Sequence, residues 1–270
     1  MGAIDLNASS ATSAEILYEV TDGIGIATFN RPQARNALTF AMYERLADLC
    51  ANAPTDGSVK AIIITGAGDK AFAAGTDISL FRDFGAPEQG IEYERKADEI
   101  LSRIESCPLP TIAAIAGACT GGGAGIAACC DLRLGTQDMK YGFPIARTLG
   151  NCLSAATLAR LVGRVGEAKV IEMIFTSRLI GADEALAIGL LNEVLPDHAA
   201  LMARAIALAT QLKEHAPLTM RVTKELLRRI RQSQPRVKDD DLVGMIYASA
   251  DFREGLESFL AKRKPQWHNR

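Results

Sequence analysis

The sequence predicts an α/β fold that runs on into a helical C-terminal part, and three observations carry that expectation. Apolar runs of strand length alternate with segments of helical period up to about residue 150. From about residue 154 the pattern is almost wholly helical. No linker-like or low-complexity stretch separates the two parts, and 270 residues suit one large domain, or one with a small appendage.

The elements follow in order. Residues 16–20 and 24–29 are short β-like runs, and Asp22-Gly23 between them is a hairpin signal. Asn30-Arg31-Pro32 ends the second run. Thr39 is placed to cap a helix over 40–52, where Met42, Leu46 and Leu49 recur at helical spacing. Residues 59–65 form a continuous apolar strand, broken by Gly66-Ala67-Gly68. A polar helix over 88–106 carries Ile91, Ile100, Leu101 and Ile104. Pro108 and Pro110 stop it, and a strand over 111–116 follows. Gly121-Gly122-Gly123 then opens a small-residue helix, 124–130, before a short strand at 131–135. Later helical segments include 167–176, 182–188, 198–214 and 218–232.

Composition excludes several classes of function. A formal charge of −2 argues against electrostatic nucleic-acid binding. No apolar run reaches the ~18 residues of a membrane span. Residues 1–14 lack the basic start and apolar core of a secretory signal and read as a disordered tail. The six cysteines, at 50, 107, 119, 129, 130 and 152, show no CxxC spacing, and most sit in apolar surroundings. Reduced thiols in a cytoplasmic protein are expected. His198, His215 and His268 all fall in the C-terminal third at segment ends, so no metal site is expected.

The glycine run is the strongest local signal. Three glycines together cost backbone entropy and are placed where side chains would obstruct. At a helix N-terminus the free N–H groups and the dipole favour a negative oxygen. Gly123-Ala124-Gly125-Ile126-Ala127-Ala128 formally matches a dinucleotide turn. It lies inside the helix, however, and lacks the acidic residue about 20 positions on. No Gly-Lys-Ser/Thr follows, which excludes a nucleotide P-loop. Close strand–helix packing is the remaining plain reading of the glycines alone.

Other motifs add to it. They are Asn30-Arg31-Pro32-Gln33-Ala34-Arg35-Asn36-Ala37-Leu38, Ile64-Thr65-Gly66-Ala67-Gly68, and Ala71-Phe72-Ala73-Ala74-Gly75-Thr76-Asp77-Ile78. After the glycine run come Leu161-Val162-Gly163, the stretch ADEALAIGLLNEV from Ala182 to Val194, and Glu254-Gly255-Leu256-Glu257-Ser258-Phe259-Leu260-Ala261-Lys262-Arg263-Lys264-Pro265. In this order and spacing, over about residues 15–267, the chain resembles the crotonase (enoyl-CoA hydratase/isomerase) superfamily.

The resemblance implies a spiral core of ββα units over 15–200 and a helical C-terminal region over 201–270 that mediates assembly into a homotrimer or a hexamer of two trimers. It implies an acyl-CoA substrate, coenzyme A entering only as part of that substrate, and no tightly bound cofactor. The shared chemistry is a thioester enolate held by two backbone N–H groups, which the resemblance assigns to Ala74 and Gly122. An enolate oxygen carries charge that its precursor lacks, so fixed donors there favour the transition state. Losing one such donor typically costs roughly 2.7–4 kcal/mol. The resemblance also places Ala34 and Arg35, with Gly75, Thr76, Asp77 and Ile78, along the coenzyme A channel. Phe259 and Lys262 fall at its adenine or phosphate end. Arg35 and Lys262 read equally well as solvated surface charges, and Asp77 reads better as a cap of the turn.

The acid–base residues depart from the family pattern. Hydratases of the family carry a glutamate two positions after the third glycine, where this chain has Gly125. They carry a second in an F-G-x-P-E motif, where Tyr141-Gly142-Phe143-Pro144 is followed here by Ile145. Water addition needs a group to activate water and a source of a proton, and neither residue supplies one. The P-G-x-G-G stretch of relatives is replaced by Thr148-Leu149-Gly150-Asn151-Cys152-Leu153. Near the expected pocket, Arg147 is a candidate for a substrate carboxylate and Asn151 for water or a carbonyl. A helix-end charge and a helix cap are their plain alternatives. Cys119 and Cys152 lack a histidine close in sequence to activate them. Three functions follow: a hydratase or isomerase with a rearranged acid–base set, a malonyl-type acyl-CoA decarboxylase, or a CoA-thioester-binding protein with little activity.

Overall fold

The computed structural model describes residues 14–82, 86–233 and 237–268. The expected tail lies outside them, apart from Ala14. Strands β1 (Ile16–Thr21) and β2 (Ile24–Phe29) pair as an antiparallel hairpin. Its turn residues Asp22 and Gly23 both take positive φ, as the Asp-Gly pair foretells. Helix α1 (Phe40–Ala51) starts at Thr39, whose side chain accepts the Met42 N–H at 3.2 Å.

A repeated unit then builds the core. Strand β3 (Ala61–Gly66) turns into short β4 (Ala71–Ala73), and α2 (Pro87–Glu105) follows. Strand β5 (Thr111–Ile115) turns into β6 (Ala118–Thr120), then α3 (Gly122–Cys129). Strand β7 (Leu132–Thr136) turns into β8 (Lys140–Gly142), then α4 (Ile145–Thr148). Two helices, α5 (Ala155–Val165) and α6 (Glu167–Thr176), lead to β9 (Ile180–Gly181), α7 (Ala182–Ala187) and β10 (Glu193–Leu195). The first strands of each unit assemble one six-stranded sheet, β1-β2-β3-β5-β7-β10, parallel beyond the hairpin. The second strands assemble a four-stranded sheet, β4-β6-β8-β9. This is the ββα spiral. The sharp step between sheets shows at Gly117, whose φ is 59° and whose missing Cβ leaves room for the Lys70 carbonyl.

Strand β3 is buried along its whole length because both faces are covered, which is why its sequence is a continuous apolar run. Ile62 and Ile64 face the core between the sheets, with Phe29, Phe72 and Ile126 of α3. Ala61 and Ile63 face the opposite way, onto α8 (His198–Lys213) through Leu201, Ala205 and Ala209. The expected division at 200/201 therefore falls inside a helix that belongs to the core, and the outlying helices begin after Lys213. These are α9 (Pro217–Gln232), α10 (Asp240–Tyr247) and α11 (Ala250–Leu260). Val243, Tyr247, Phe252 and Leu256 from the last two close a small apolar cluster with Phe81. Helix α9 buries none of its own side chains.

Candidate active site

Two backbone segments meet at one cavity. At the end of β6, Gly121 donates its N–H to the Gly142 carbonyl at 3.0 Å, and the chain enters α3 at Gly122. As the first helical residue, Gly122 has an N–H without an intrahelical acceptor, at the positive end of the helix dipole. The facing segment leaves β4 through Ala74-Gly75-Thr76. Ala74 donates its N–H to the Arg35 carbonyl at 3.0 Å, so it is spent on the fold and is not the donor that the motif assigns. Leu38 N–H donates to Gly75 at 2.8 Å and Asp77 N–H donates to Leu38 at 2.8 Å, which brackets Thr76 in a parallel bridge. In that pattern the bracketed residue turns its own N–H away from the partner strand. Thr76 N–H has no acceptor among the described residues, and Thr76 lines the cavity. Thr76 and Gly122 thus each bring an N–H without an acceptor to the cavity, one from either segment.

The segments touch closely. A Cβ on Gly122 would overlap the Tyr43 hydroxyl and lie 2.9 Å from Thr76 Oγ1, and one on Gly121 would lie 3.4 Å from Gly75 Cα. Glycine at 122 is thus set by the approach of α1 and the facing loop, while its N–H stays free.

The cavity has a volume of about 250 Å³. A groove of about 660 Å³ elsewhere runs over Asp98, Glu105, Arg160 and Arg231, and these charges pair with one another. Gly125 and Ile145 both line the smaller cavity, so neither wall position carries a carboxyl. Its polar groups come instead from other elements. Tyr43 Oη lies 2.9 Å from Thr76 Oγ1, which lies 3.3 Å from Tyr93 Oη. Glu94 of α2 is buried, accepts the Tyr247 hydroxyl at 2.7 Å on Oε1 and accepts Ser154 N–H at 3.3 Å on Oε2. Burial, with the nearby Asp98 and Asp239 charges, pushes its pKa up to about 7 against the pull of those two hydrogen bonds. No Lys, Arg or His pairs with it among the described residues. Asn151 donates through Nδ2 to Tyr247 Oη at 3.4 Å and to the Cys152 carbonyl at 3.3 Å, while its Oδ1 is buried without a partner.

Gly75, Thr76, Ile78 and Asn151 line the cavity, and Phe259, 49% exposed, stands at its edge. Asp77 does not line it. Its carboxylate accepts Ser79 N–H at 3.2 Å and pairs with Arg31 at 3.1 Å, the capping role. Arg147, the candidate for a substrate carboxylate, is exposed on α4 and does not line the cavity. Ala34 and Arg35 belong to the turn beside Ala74. The Arg35 and Lys262 side chains are exposed, and neither lines the cavity. Burial pushes the Cys152 thiol up to about 12 and the Cys119 thiol well above its ordinary range, so neither is a nucleophile. Glu94 had a signal in the sequence. Ile91, Glu94 and Leu101 fall on one helical stripe, so a carboxyl stands where the period calls for an apolar residue.

The enoyl-CoA hydratase/isomerase family model matches residues 19–270. A probable enoyl-CoA hydratase of Bacillus subtilis is 35% identical over 255 residues, covering 93% of this chain and 98% of the relative. A solved enoyl-CoA hydratase/carnithine racemase of Magnetospirillum magneticum superposes with a TM-score of 0.76 at 35% identity, covering 95% of this chain and 96% of that one. A methylmalonyl-CoA decarboxylase in complex with 2-nitronate-propionyl-CoA superposes with a TM-score of 0.86 at 26% identity, covering 95% of this chain and 99% of the other.

Proposed function

Because the chain belongs to the enoyl-CoA hydratase/isomerase (crotonase) family, we propose that it converts an acyl-CoA thioester through an enolate held by Thr76 N–H and Gly122 N–H. The observation that carries this reading is the pair of backbone donors without acceptors on two sides of one cavity. Preorganised donors aimed where charge develops, in a site partly closed to water, lower the barrier without reorganisation. Coenzyme A, the only cofactor invoked, arrives with the substrate. The acyl group occupies the cavity, Phe259 flanks its mouth, and Arg35 and Lys262 are the cations proposed for the coenzyme A phosphates.

Gly125 and Ile145 argue against hydration by two carboxylates, whereas a single acid–base group elsewhere suffices to move a double bond by proton transfer between the α and γ carbons. A second reading is decarboxylation of a malonyl-type thioester, favoured by the TM-score of 0.86 to the methylmalonyl-CoA decarboxylase. There the breaking C–C bond supplies the enolate pair and no base is needed. Arg147 holds no carboxylate in this version, since it stands outside the cavity. The protein is expected to bind acetoacetyl-CoA and to turn over a 3-enoyl-CoA or methylmalonyl-CoA faster than it hydrates crotonyl-CoA. Rapid crotonyl-CoA hydration overturns the choice of reaction, and failure to bind acetoacetyl-CoA overturns the enolate site. Tight binding without turnover of any thioester favours a binding protein.

Assembly into a homotrimer, or a hexamer of two trimers, is supported by Leu218, Val222, Leu226 and Ile230. These stand exposed at four-residue spacing along α9. A cytoplasmic setting is supported by six free cysteines, five of them buried. Among the described residues, no helix is long and apolar enough to cross a membrane.

A further inference from the structure

We propose that Glu94 of α2 is the general acid–base residue of this cavity, standing in for the carboxyls absent at Gly125 and Ile145. The inference rests on the enolate reading above and assigns its proton transfer. Glu94, Ala97 and Leu101 share one face of α2, and that face lines the cavity that also receives Thr76 and Gly122. Leu101 reaches the wall at Gly125, where a Cβ would lie 3.6 Å from Leu101 Cδ1.

The surroundings of Glu94 suit reversible protonation. From α10, Tyr247 donates to Oε1, and Asn151 Nδ2 donates in turn to Tyr247 Oη. From the start of α5, Ser154 N–H reaches Oε2. These donors favour the carboxylate. Burial disfavours it, as do the negative charges of Asp98 on the same helix and Asp239 ahead of α10. Tyr93 and the Tyr43 hydroxyl of α1 adjoin it as neutral phenols, burial holding both above the ordinary range, and Cys152 adjoins as a neutral thiol. Opposed influences leave Glu94 near neutrality, where an acid–base group works best. A buried carboxyl without a cation gains nothing from ion pairing, so packing alone gives no reason for it.

The step balances within the site. The Glu94 carboxylate takes the α-proton, the C–H electron pair passes into the enolate, and Thr76 and Gly122 bind the oxygen. Return of the proton to the α or γ carbon re-forms a C–H bond from the enolate pair and restores the carboxylate. In the decarboxylation version, protonated Glu94 delivers the proton after carbon dioxide leaves, and water restores it.

The test is deuterium exchange at the α-carbon of butyryl-CoA in heavy water, followed by NMR alongside acetoacetyl-CoA binding, for the wild type, Glu94→Gln, Glu94→Asp and Tyr247→Phe. Glu94→Gln keeps an acceptor for Tyr247 and is expected to bind acetoacetyl-CoA normally while exchange falls about 10²–10⁴-fold. Glu94→Asp recovers part of the loss. Wild-type exchange rises with pH through about 7, and Tyr247→Phe moves that midpoint upward because it removes a donor to the carboxylate. The proposal is overturned if Glu94→Gln exchanges like the wild type, or loses binding and exchange in parallel, which marks a structural role. Wild type that binds acetoacetyl-CoA without exchanging protons also overturns it and leaves the enolate site standing. Wild type that binds no thioester removes both.

Discussion

At the scale of single residues, chemistry turns on which groups the fold has already spent. The family resemblance pairs the glycine run with the Ala73 to Asp77 loop, while the helix expected over 124–130 starts two residues earlier, at Gly122. The second donor cannot, because Ala74 and Thr76 differ only in hydrogen bonding. The Arg35 carbonyl that consumes the Ala74 N–H comes from a distant turn. Glu94 shows in the sequence only as a carboxyl on an apolar stripe, since its partners Tyr247 and Ser154 lie far along the chain. Its titration yields a stability prediction apart from catalysis. A carboxyl whose pKa rises from 4.5 to about 7 on folding binds its proton more tightly in the native state. Its contribution is full below pH 4.5 and is lost as pH rises through about 7, by roughly 3 kcal/mol in all. Glutamine does not ionise, so Glu94→Gln should gain in thermal midpoint over the wild type on going from pH 5 to pH 8. Parallel midpoints at both pH values would contradict the buried, unpaired carboxyl. At Arg147, exposed on α4, alanine should leave turnover of whichever thioester proves to be the substrate unchanged.

Among the elements, most were legible and the shortest strands were not. The hairpin, β3, β5 and helices α1, α2, α6 and α8 follow from apolar period and punctuation. The second sheet escapes because β4, β6 and β8 have three residues each, too few to show a period, and β9 has two. Yet these strands bring the loop that leaves β4 against α3. A Cβ on Gly123 would overlap the Ala73 carbonyl oxygen and lie 2.7 Å from the Ala73 Cβ. Gly123→Ala must therefore push β4 from α3, at a cost of about 1–3 kcal/mol, and should weaken acetoacetyl-CoA binding. Gly125→Ala is the matched control. Its Cβ meets only Leu101, at ordinary contact distance, and in mid-helix it should stabilise by about 0.5–1 kcal/mol. Denaturant midpoints of the two variants check the pair, and equal behaviour would contradict the close approach of β4 and α3.

For the whole molecule, the helical C-terminal part divides in two. Helices α10 and α11 close over α2 and supply Tyr247 to Glu94, whereas α9 turns a stripe of leucine, valine and isoleucine outward. The sequence predicts a helix over 218–232 but not that its apolar face is left uncovered within the chain. That face is expected to be the contact between copies. Leu226→Arg should shift sedimentation toward monomer without unfolding the core, and an unchanged mass would place the interface elsewhere. The central claim concerns the paired donors, and the structure of a complex with acetoacetyl-CoA tests it most directly. The thioester oxygen should lie about 2.7–3.1 Å from both Thr76 N and Gly122 N. An oxygen bound elsewhere, with the Thr76 N–H left unpaired, would contradict it.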